Sequence, residues 1–303
     1  MSKAAFVALA GRPSVGKSSL LNLFCGNKVA IVSPVPQTTR NAVRGIVSRP
    51  EGQLVFVDTP GRHISGKKLN RKLMDLSDRA MEDSELVLYV LDASRPPGEE
   101  EEAVAEKLKS FQDRTVAAIN KCDLDTADPK SLLSFLDTSL PDLPASRRFE
   151  ISCYSKEGIQ PLLSCLFEMA ADGEPLYPEE YYTDQEIPFR ISEIIREKAM
   201  KRLRDELPHS IYVEIADLEM REENTNETPE KKRLWVRAFI IVERESQKGI
   251  VVGKGGEMIK AIRLAALKDL KRIFDWKIEL DLRVKTGKDW RANDRVLRKI
   301  TGA

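Results

Sequence analysis

The sequence has few of the residues that build metal sites and disulfides. Its 303 residues include four cysteines, none in a CxxC pair, and two histidines. This composition argues against a zinc site and a disulfide framework, so we expect four reduced thiols in a cytosolic protein. A run of about 18 apolar residues is also missing, which excludes a membrane-spanning helix.

The chain as a whole has no large excess of positive or negative charge. The 49 lysine and arginine residues balance 48 aspartate and glutamate residues, which excludes a histone-like polycation and an acidic disordered tail. The distribution is uneven, since residues 1–180 hold 22 basic and 26 acidic side chains and residues 181–303 hold 27 and 22. The basic excess therefore lies in the second half.

Apolar runs alternate with amphipathic stretches in the first half of the chain. This pattern predicts an α/β domain with a mostly parallel sheet flanked by helices. The expected strands are Phe6–Ala10, Leu54–Val57, Leu86–Leu91, Val116–Ile119 and Phe149–Ile151.

The second half predicts a smaller α+β module. Residues 172–188 contain three prolines and no basic residue, so they cannot easily continue a helix. We therefore predict a first domain at 1–172, a linker at 173–188 and a second domain at 189–303. Residues 221–233 are polar and charged, which predicts a hairpin loop. The remaining expected elements are a helix at 187–206, strands at 210–220 and 234–243, a helix from Met258, a strand at 277–284 and a helix at 292–300.

A glycine-rich motif follows the first predicted strand and precedes a predicted helix at 18–24. It fits G-x-x-x-x-G-K-[ST] in the context that a P-loop requires. Its glycines let backbone N–H groups turn toward phosphate oxygens, Lys17 reaches the β- and γ-phosphates, and Ser18 offers a hydroxyl to Mg²⁺. Residues 1–50 contain seven basic residues and no acidic one, so no like charge opposes a triphosphate. The expected phosphate-binding residues are Gly11, Arg12, Pro13, Ser14, Val15, Gly16, Lys17, Ser18 and Ser19.

A second motif, Asp58-Thr59-Pro60-Gly61, ends another buried strand. The carboxylate of Asp58 can hold Mg²⁺ through water, and the backbone N–H of Gly61 can meet the γ-phosphate. We expect all four residues of this motif to contact the nucleotide or its metal ion.

Residues at the ends of two further strands are expected to contact the base of the nucleotide. Asp123, in Asn120-Lys121-Cys122-Asp123, can accept two hydrogen bonds from guanine, and adenine lacks that donor pair. We expect Asn120 to brace the loop and the stem of Lys121 to cover the base. Ser152 and Cys153 end the last strand, where a backbone N–H can donate to the guanine carbonyl.

The order of these motifs places a ligand at the carboxyl edge of a parallel sheet. Residues 4–170 resemble a small Ras-like GTPase of the translation-factor-related class, and Gln37-Thr38-Thr39-Arg40 resembles the mobile first switch of the Era family. The resemblance implies that a switch threonine coordinates Mg²⁺ in the GTP state only; we favour Thr39, with Thr38 as the alternative. It makes Lys17 and Thr39 the expected catalytic residues, and Ser18, Thr39 and Asp58 the expected metal ligands.

Two positions depart from the family pattern. Ser14 stands where most Era-like proteins carry an asparagine that is linked, in related GTPases, to potassium-stimulated hydrolysis, which puts such stimulation in question. Arg62 stands where Ras-like proteins place a water-orienting glutamine and Era-like proteins an apolar residue. We favour a solvated switch arginine, with a finger toward the γ-phosphate as the alternative. We also interpret the neighbouring His63 as polar surface. The water-orienting group is thus unassigned, which predicts slow intrinsic turnover.

A GxxG sequence in the second half points to RNA. Its expected RNA-binding residues are Gly253, Lys254, Gly255 and Gly256. Glycines let the backbone approach phosphates, the lysine adds charge, and a neighbouring apolar groove takes unstacked bases. An apolar, strand-like run at 249–252 precedes the loop and a long amphipathic helix follows it. Residues 248–303 hold 15 basic and 7 acidic side chains, which adds affinity for phosphates.

The order helix, strand, strand, GxxG, helix, strand, helix resembles the type II KH domain that follows the GTPase domain in the Era family. Stretches such as Ser192–Lys198 and Glu206–Pro208 resemble Era signatures, and the resemblance covers essentially the whole chain. It implies GTP or GDP and Mg²⁺ as ligands. It also implies binding to the 3′ end of small-subunit ribosomal RNA, rRNA processing, and assembly of the small ribosomal subunit.

Two alternative functions stay open from the sequence. One is a GTP-binding RNA chaperone, and the other is a GTPase associated with modification of another RNA. No obligate protein partner is implied, and a monomer is the default. We expect a cytoplasmic location, with a weak peripheral contact between the predicted helix at 187–206 and anionic lipid of the inner membrane face as a secondary interpretation.

Overall fold

The fold is taken from a computed structural model that describes residues 2–36, 38–61, 68–222 and 232–301. The described chain forms two compact units. The first takes in the chain through Ala30, Thr39–Asp184 and Thr301, and the second takes in Ile31–Thr38 and Gln185–Ile300. The stretch Ile31–Thr38, which the sequence places inside the first domain, therefore packs with the second unit.

The first unit is built around a seven-stranded sheet of order β2-β3-β1-β4-β5-β6, with β7 paired to β1. Neighbours among β1, β3, β4, β5 and β6 run parallel, which confirms the mostly parallel sheet. The strand β2 was not predicted, because in this antiparallel edge strand arginine, glycine and serine interrupt the apolar residues, so no continuous apolar run forms. The strands are β1 Lys3–Ala10, β2 Val43–Arg49, β3 Gly52–Asp58, β4 Leu86–Asp92, β5 Thr115–Asn120, β6 Arg148–Glu150 and β7 Ala171–Asp172.

Helices supply the apolar faces that bury this sheet. Leu20, Leu21 and Phe24 of the first helix are buried, and the rings of Phe24 and Phe56 lie 4.7 Å apart. Every residue of β4 is buried, and all but the last, Asp92, are apolar, as expected for a strand covered on both faces. The helices of this unit are α1 Lys17–Cys25, α2 Lys68–Asp83, α3 Glu99–Leu108, α4 Pro129–Ser139 and α5 Ile159–Met169.

The parallel strands bring the sequence motifs to one edge of the sheet. Ala10, Asp58 and Asn120 are the last residues of β1, β3 and β5. Carboxyl ends of parallel strands lie at the same edge, so the P-loop and the motifs that begin at Asp58 and Asn120 start there together.

The second unit packs helices against a three-stranded sheet of order β10-β9-β8. The middle strand β9 runs antiparallel to β8 and parallel to β10. Ile195, Val236 and Ile262 belong to its core and are fully buried. Its elements are α6 Ile187–Met200, β8 Tyr212–Glu222, β9 Lys232–Val242, α7 Glu245–Val252, α8 Glu257–Ile273, β10 Lys277–Thr286 and α9 Asp294–Thr301.

Two predicted elements of this unit were wrong in part. The apolar run at 249–252 is not a strand but the end of α7, which begins where the Gln247 side chain accepts hydrogen bonds from the N–H groups of Glu243 and Arg244. The helix predicted to reach residue 206 ends at Met200. Leu203 and Leu207 continue in turns and pack on the same core, so the apolar spacing persists where the helix does not.

The loop predicted at 221–233 is shorter than expected, because β8 and β9 pair through Glu222 and Lys232, and the rest of the loop lies outside the described residues. Within the described ranges, no helix is both long enough and apolar enough to cross a membrane.

Candidate nucleotide and RNA sites

The P-loop between β1 and α1 has a backbone that few side chains would allow. Gly11 has a φ of 141°, and a Cβ there would lie 2.4 Å from the carbonyl oxygen of Val90. Gly16 has a φ of 108°, and its Cβ would lie 2.3 Å from the Asn120 amide nitrogen. The loop therefore turns its N–H groups at the start of α1 without a side chain in the way, as phosphate binding requires.

Lys17 lies inside this loop with its ammonium group held by backbone carbonyls. Its Nζ donates to the carbonyl oxygens of Gly11 and Arg12, both at 2.9 Å, and the side chain is 6% exposed. Burial lowers the pKa of Lys17 to about 8, although the nearby carboxylate of Asp58 opposes that change. The ammonium is thus poised to exchange carbonyl partners for phosphate oxygens.

Three predicted metal ligands converge in the first unit. The Ser18 hydroxyl donates to Asp58 Oδ2 at 2.5 Å, and it lies 3.1 Å from the hydroxyl of Thr39. Asp58 is completely buried, and its Oδ1 has no hydrogen-bond partner among the described residues. Burial raises the pKa of Asp58, with Lys17 and the hydroxyls opposing that rise. A buried, unpaired carboxylate oxygen beside two hydroxyls fits a hard cation such as Mg²⁺.

The segment that begins at Asp58 approaches the P-loop so closely that only glycine fits at its end. A Cβ on Gly61 would lie 2.5 Å from the backbone nitrogen of Pro13. The hydroxyl of Thr59 faces the core instead, where it donates to the Leu9 carbonyl at 3.2 Å. The segment can thus offer the backbone at Gly61, while the Thr59 side chain is engaged elsewhere. Gln37, Arg62 and His63 lie outside the described residues.

Asn120 ties two loops of the base site together. Its Nδ2 donates to the carbonyl of Val15 at 2.8 Å, and its Oδ1 accepts from the backbone N–H of Cys153 at 3.1 Å. The bracing role predicted for Asn120 is consistent with this geometry. The backbone N–H of Cys153, one of the two residues expected to supply a donor for the guanine carbonyl, donates to Asn120 in this structure.

Asp123 and Lys121 flank the same site. Asp123 is exposed, and its Oδ1 accepts from the Ser152 hydroxyl at 2.6 Å. Lys121 has a φ of 68°, and its Nζ lies 2.6 Å from a carboxylate oxygen of Asp92. Burial favours protonation of Asp92, but hydrogen bonds from Lys121 and Ser94 hold its pKa below the usual range. The carboxylate of Asp123 is therefore oriented and open to a ligand.

Sequence reasoning missed two acidic residues of this region. Asp92 ends a buried strand, as Asp58 does, so its position carried a usable signal. Glu101 lies in a run of four glutamates at the start of α3, yet it is 2% exposed and forms an ion pair with Arg12 at 2.5 Å. Nothing in that run distinguishes the buried glutamate from its neighbours. The guanidinium of Arg12 is thus directed toward α3, while its carbonyl accepts from Lys17.

The GxxG loop joins α7 to α8 and has the open backbone expected for phosphate contact. Gly255 and Gly256 have φ values of 59° and 83°, and a Cβ on either would meet no atom within 4 Å. The side chain of Lys254 is exposed between them and Gly253. Ile250 and Leu264, on the flanking helices, are 56% and 52% exposed. Charge, accessible backbone and apolar surface thus occur together, as single-stranded RNA binding requires.

Comparison with known families agrees with this geometry. The family described as 50S ribosome-binding GTPase matches residues 6–121, and the family described as KH domain matches residues 206–291. The chain is 48% identical to the GTPase Era of Treponema denticola over 295 residues, which are 97% of this chain and 98% of that protein. It is 43% identical to the GTPase Era of Borreliella afzelii over 298 residues, which are 98% of this chain and 99% of that protein.

Two solved structures have the same fold over nearly the entire chain. One is Era in complex with MgGDPNP and nucleotides 1506–1542 of 16S ribosomal RNA, with a TM-score of 0.90, 31% identity and 99% of both chains covered. The other is a point variant of Aquifex aeolicus Era bound to GDP and AlF4⁻, with a TM-score of 0.89, 31% identity and 98% of both chains covered. The resemblance inferred from the sequence motifs is confirmed: the chain belongs to the Era family of GTPases.

Proposed function

We propose that this GTPase binds the 3′ end of small-subunit ribosomal RNA through its second unit, and that it assists rRNA processing and assembly of the small ribosomal subunit. The observation that carries the proposal is the likeness, over 99% of the chain, to the Era structure that holds nucleotides 1506–1542 of 16S ribosomal RNA. The open GxxG loop and its exposed lysine support the RNA assignment. We propose that the protein acts as a monomer.

GTP binding uses the edge of the first sheet. The P-loop N–H groups and the ammonium of Lys17 stabilise negative charge on the phosphates, which is the main protein contribution to phosphoryl transfer. Ser18, Thr39 and Asp58 are the residues that would hold Mg²⁺, which when bound neutralises charge on the β- and γ-phosphate oxygens. Asp123 selects guanine, and Asn120 holds the base loop against the P-loop. Slow intrinsic hydrolysis stays a prediction from the sequence, in which no water-orienting side chain is assigned.

RNA binding is tested by fluorescence anisotropy with a labelled oligonucleotide that copies the 3′ tail of small-subunit ribosomal RNA. The protein is loaded with GDP or with a non-hydrolysable GTP analogue. A scrambled oligonucleotide and one of equal length from large-subunit RNA serve as competitors. The large-subunit competitor is included because the family that matches the first domain is described as a 50S ribosome-binding GTPase. We expect sequence-dependent binding that is tighter with the GTP analogue. Equal weak binding to all oligonucleotides would refute the assignment.

A charge-matched pair of variants locates the RNA site. Lys254→Asp with Gly255→Asp reverses the charge of the GxxG loop, and aspartate tolerates the positive φ of Gly255 better than most residues. The control, Lys130→Asp with Ser134→Asp, makes the same charge change on the exposed side of α4. We expect a loss of at least about tenfold in RNA affinity for the loop variant only. Equal losses would mean that net charge, and not the loop, determines binding.

We place the protein in the cytoplasm, where ribosomal subunits are assembled. Its peripheral contact with the inner membrane face stays a prediction, but the basic residues of α6 itself are largely buried. Arg190, Arg196 and Lys198 of α6 are 9%, 2% and 9% exposed. Flotation with vesicles containing anionic lipid tests the contact, and we expect most of the protein to stay unbound.

A further inference from the structure

The segment Ile31–Thr38 is held by two adjacent residues of α6, within the second unit. The backbone N–H of Val32 donates to Glu197 Oε1 at 3.2 Å, and the carbonyl of Thr38 accepts from Arg196 Nη2 at 2.5 Å. The side chain of Val35, between these two contacts, packs against the hydrophobic core of the unit. Val32, Val35 and Thr38 are therefore each held by the second unit.

The two residues that hold this segment are charged and almost completely buried. Arg196 is 2% exposed and Glu197 is 1% exposed. The guanidinium of Arg196 is paired with Glu193 at 2.5 Å, and Glu197 is paired with Lys198 at 2.8 Å and with Lys201 at 3.0 Å. Apolar side chains of similar size would fill such positions at less cost, since buried ion pairs contribute little net stability. These charges therefore indicate a role in fixing the backbone that they contact.

The segment ends one peptide bond before the threonine of the metal cluster. Thr38 belongs to the second unit and Thr39 to the first. The carbonyl that Arg196 holds is part of the peptide group whose nitrogen belongs to Thr39. Thr39 in turn contacts Ser18 at 3.1 Å and Asp58 at 3.4 Å. Because the two threonines share this peptide group, the hydrogen bond from Arg196 to the Thr38 carbonyl restricts the positions that the Thr39 hydroxyl can occupy.

We propose that Arg196 and Glu197 are positioning residues for Thr39, and that through them the RNA-binding unit sets the protein's preference for GTP over GDP. The proposal rests on the proposed function in one respect, namely that Thr39 serves as a metal ligand in the GTP state only. It assigns a role to the Ser192–Lys198 stretch, which nucleotide and RNA binding leave unexplained.

The test compares affinities for GDP and for a non-hydrolysable GTP analogue at saturating Mg²⁺. Arg196→Met keeps an unbranched stem like that of arginine but removes the guanidinium group and its hydrogen bonds. We expect a loss of about fivefold to tenfold for the GTP analogue and a change below about twofold for GDP. The control, Arg202→Met, removes another arginine of this unit that donates to a backbone carbonyl, that of Lys198, and should change neither affinity.

A double-mutant cycle with Thr39→Ala shows whether Arg196 acts through Thr39. Thr39→Ala alone should reduce affinity for the GTP analogue selectively, and adding Arg196→Met should cause no further loss. Additive losses, or equal losses for both nucleotides from Arg196→Met, would overturn the positioning role and leave the metal role of Thr39 intact. If Thr39→Ala leaves the preference unchanged, both the metal role and the positioning role are wrong.

A second variant keeps the test decisive if Arg196→Met does not fold. Arg196→Lys retains the positive charge beside Glu193 but cannot reproduce the planar fork that also reaches the Thr38 carbonyl. We expect a smaller selective loss, about threefold, with an unchanged circular dichroism spectrum. An unchanged nucleotide preference in this folded variant would contradict the proposal.

Discussion

The affinity for GTP should depend on pH through Lys17. Burial lowers the pKa of Lys17 to about 8, so the ammonium loses its proton as the pH rises past that value. Phosphate oxygens bind the charged form and favour it, so they raise the pKa of Lys17 in the complex. Above pH 8, binding must therefore be accompanied by proton uptake, and affinity must fall as the pH rises.

The size of the effect follows from the fraction of protonated Lys17. With a pKa of about 8, about nine-tenths of the protein carries the ammonium at pH 7 and about one-tenth at pH 9 before nucleotide is added. If the complex keeps the proton throughout, affinity falls about tenfold between these pH values, which is about 1.4 kcal/mol of binding free energy. The same lowered pKa makes the free energy of unfolding rise with pH over this range, which is opposite in sign to the change in affinity.

The assay is a titration with fluorescent GTP analogue at fixed ionic strength and saturating Mg²⁺ from pH 7 to pH 9. Lys17→Arg is the matched control, because a guanidinium stays charged throughout this range. Any slope that remains in the arginine variant reports titration of the nucleotide or of other groups. A flat profile for the unaltered protein, or equal slopes for both proteins, would refute the reasoning about Lys17.

Three further changes test single contacts of the nucleotide site. Asp123→Asn should move the base preference from guanine to xanthine, measured by competition between GTP and XTP, and an unchanged preference for GTP would contradict the assignment of Asp123. Gly61→Ala places a methyl group 2.5 Å from the Pro13 nitrogen, so we expect affinity for the GTP analogue to fall by at least about tenfold and affinity for GDP to fall less. Affinities equal to those of the unaltered protein would show that the segment moves freely. Glu101→Ala leaves the Arg12 side chain, which is 12% exposed, without its ion-pair partner. This change should lower the free energy of unfolding by about 3 kcal/mol in urea denaturation, and a loss below about 0.5 kcal/mol would show that Arg12 reaches water.

Much of the first unit could be predicted because its signals are local. Strands buried on both faces form continuous apolar runs, and the phosphate and base motifs begin where those runs end. Gly11 and Gly16 were recognised from spacing alone, and the structure gives each a positive φ and no room for a Cβ. Residue type, spacing and backbone conformation agree at these positions, so the sequence was sufficient to identify the two glycines of the loop.

The parts that could not be predicted depend on partners distant in the chain. The residues Ile250–Val252 are β-branched and favour a strand by propensity, yet they end α7 because Val251 is buried in the core of the second unit. Glu101 differs from the neighbouring glutamates only in meeting Arg12. In both cases tertiary packing overrides or supplements a local pattern that is ambiguous.

The pair Thr38 and Thr39 shows the same limit at the metal site. Both residues carry a hydroxyl at almost the same place in the sequence, which left both as candidate ligands. The structure distinguishes the two hydroxyls by their hydrogen-bond partners. The Thr38 hydroxyl donates to the Val35 carbonyl at 2.6 Å, and the Thr39 hydroxyl lies beside Ser18. The carbonyl of Thr38 is held by Arg196, which is 158 residues away in sequence. The geometry of the proposed metal ligand therefore depends on the fold of the second unit.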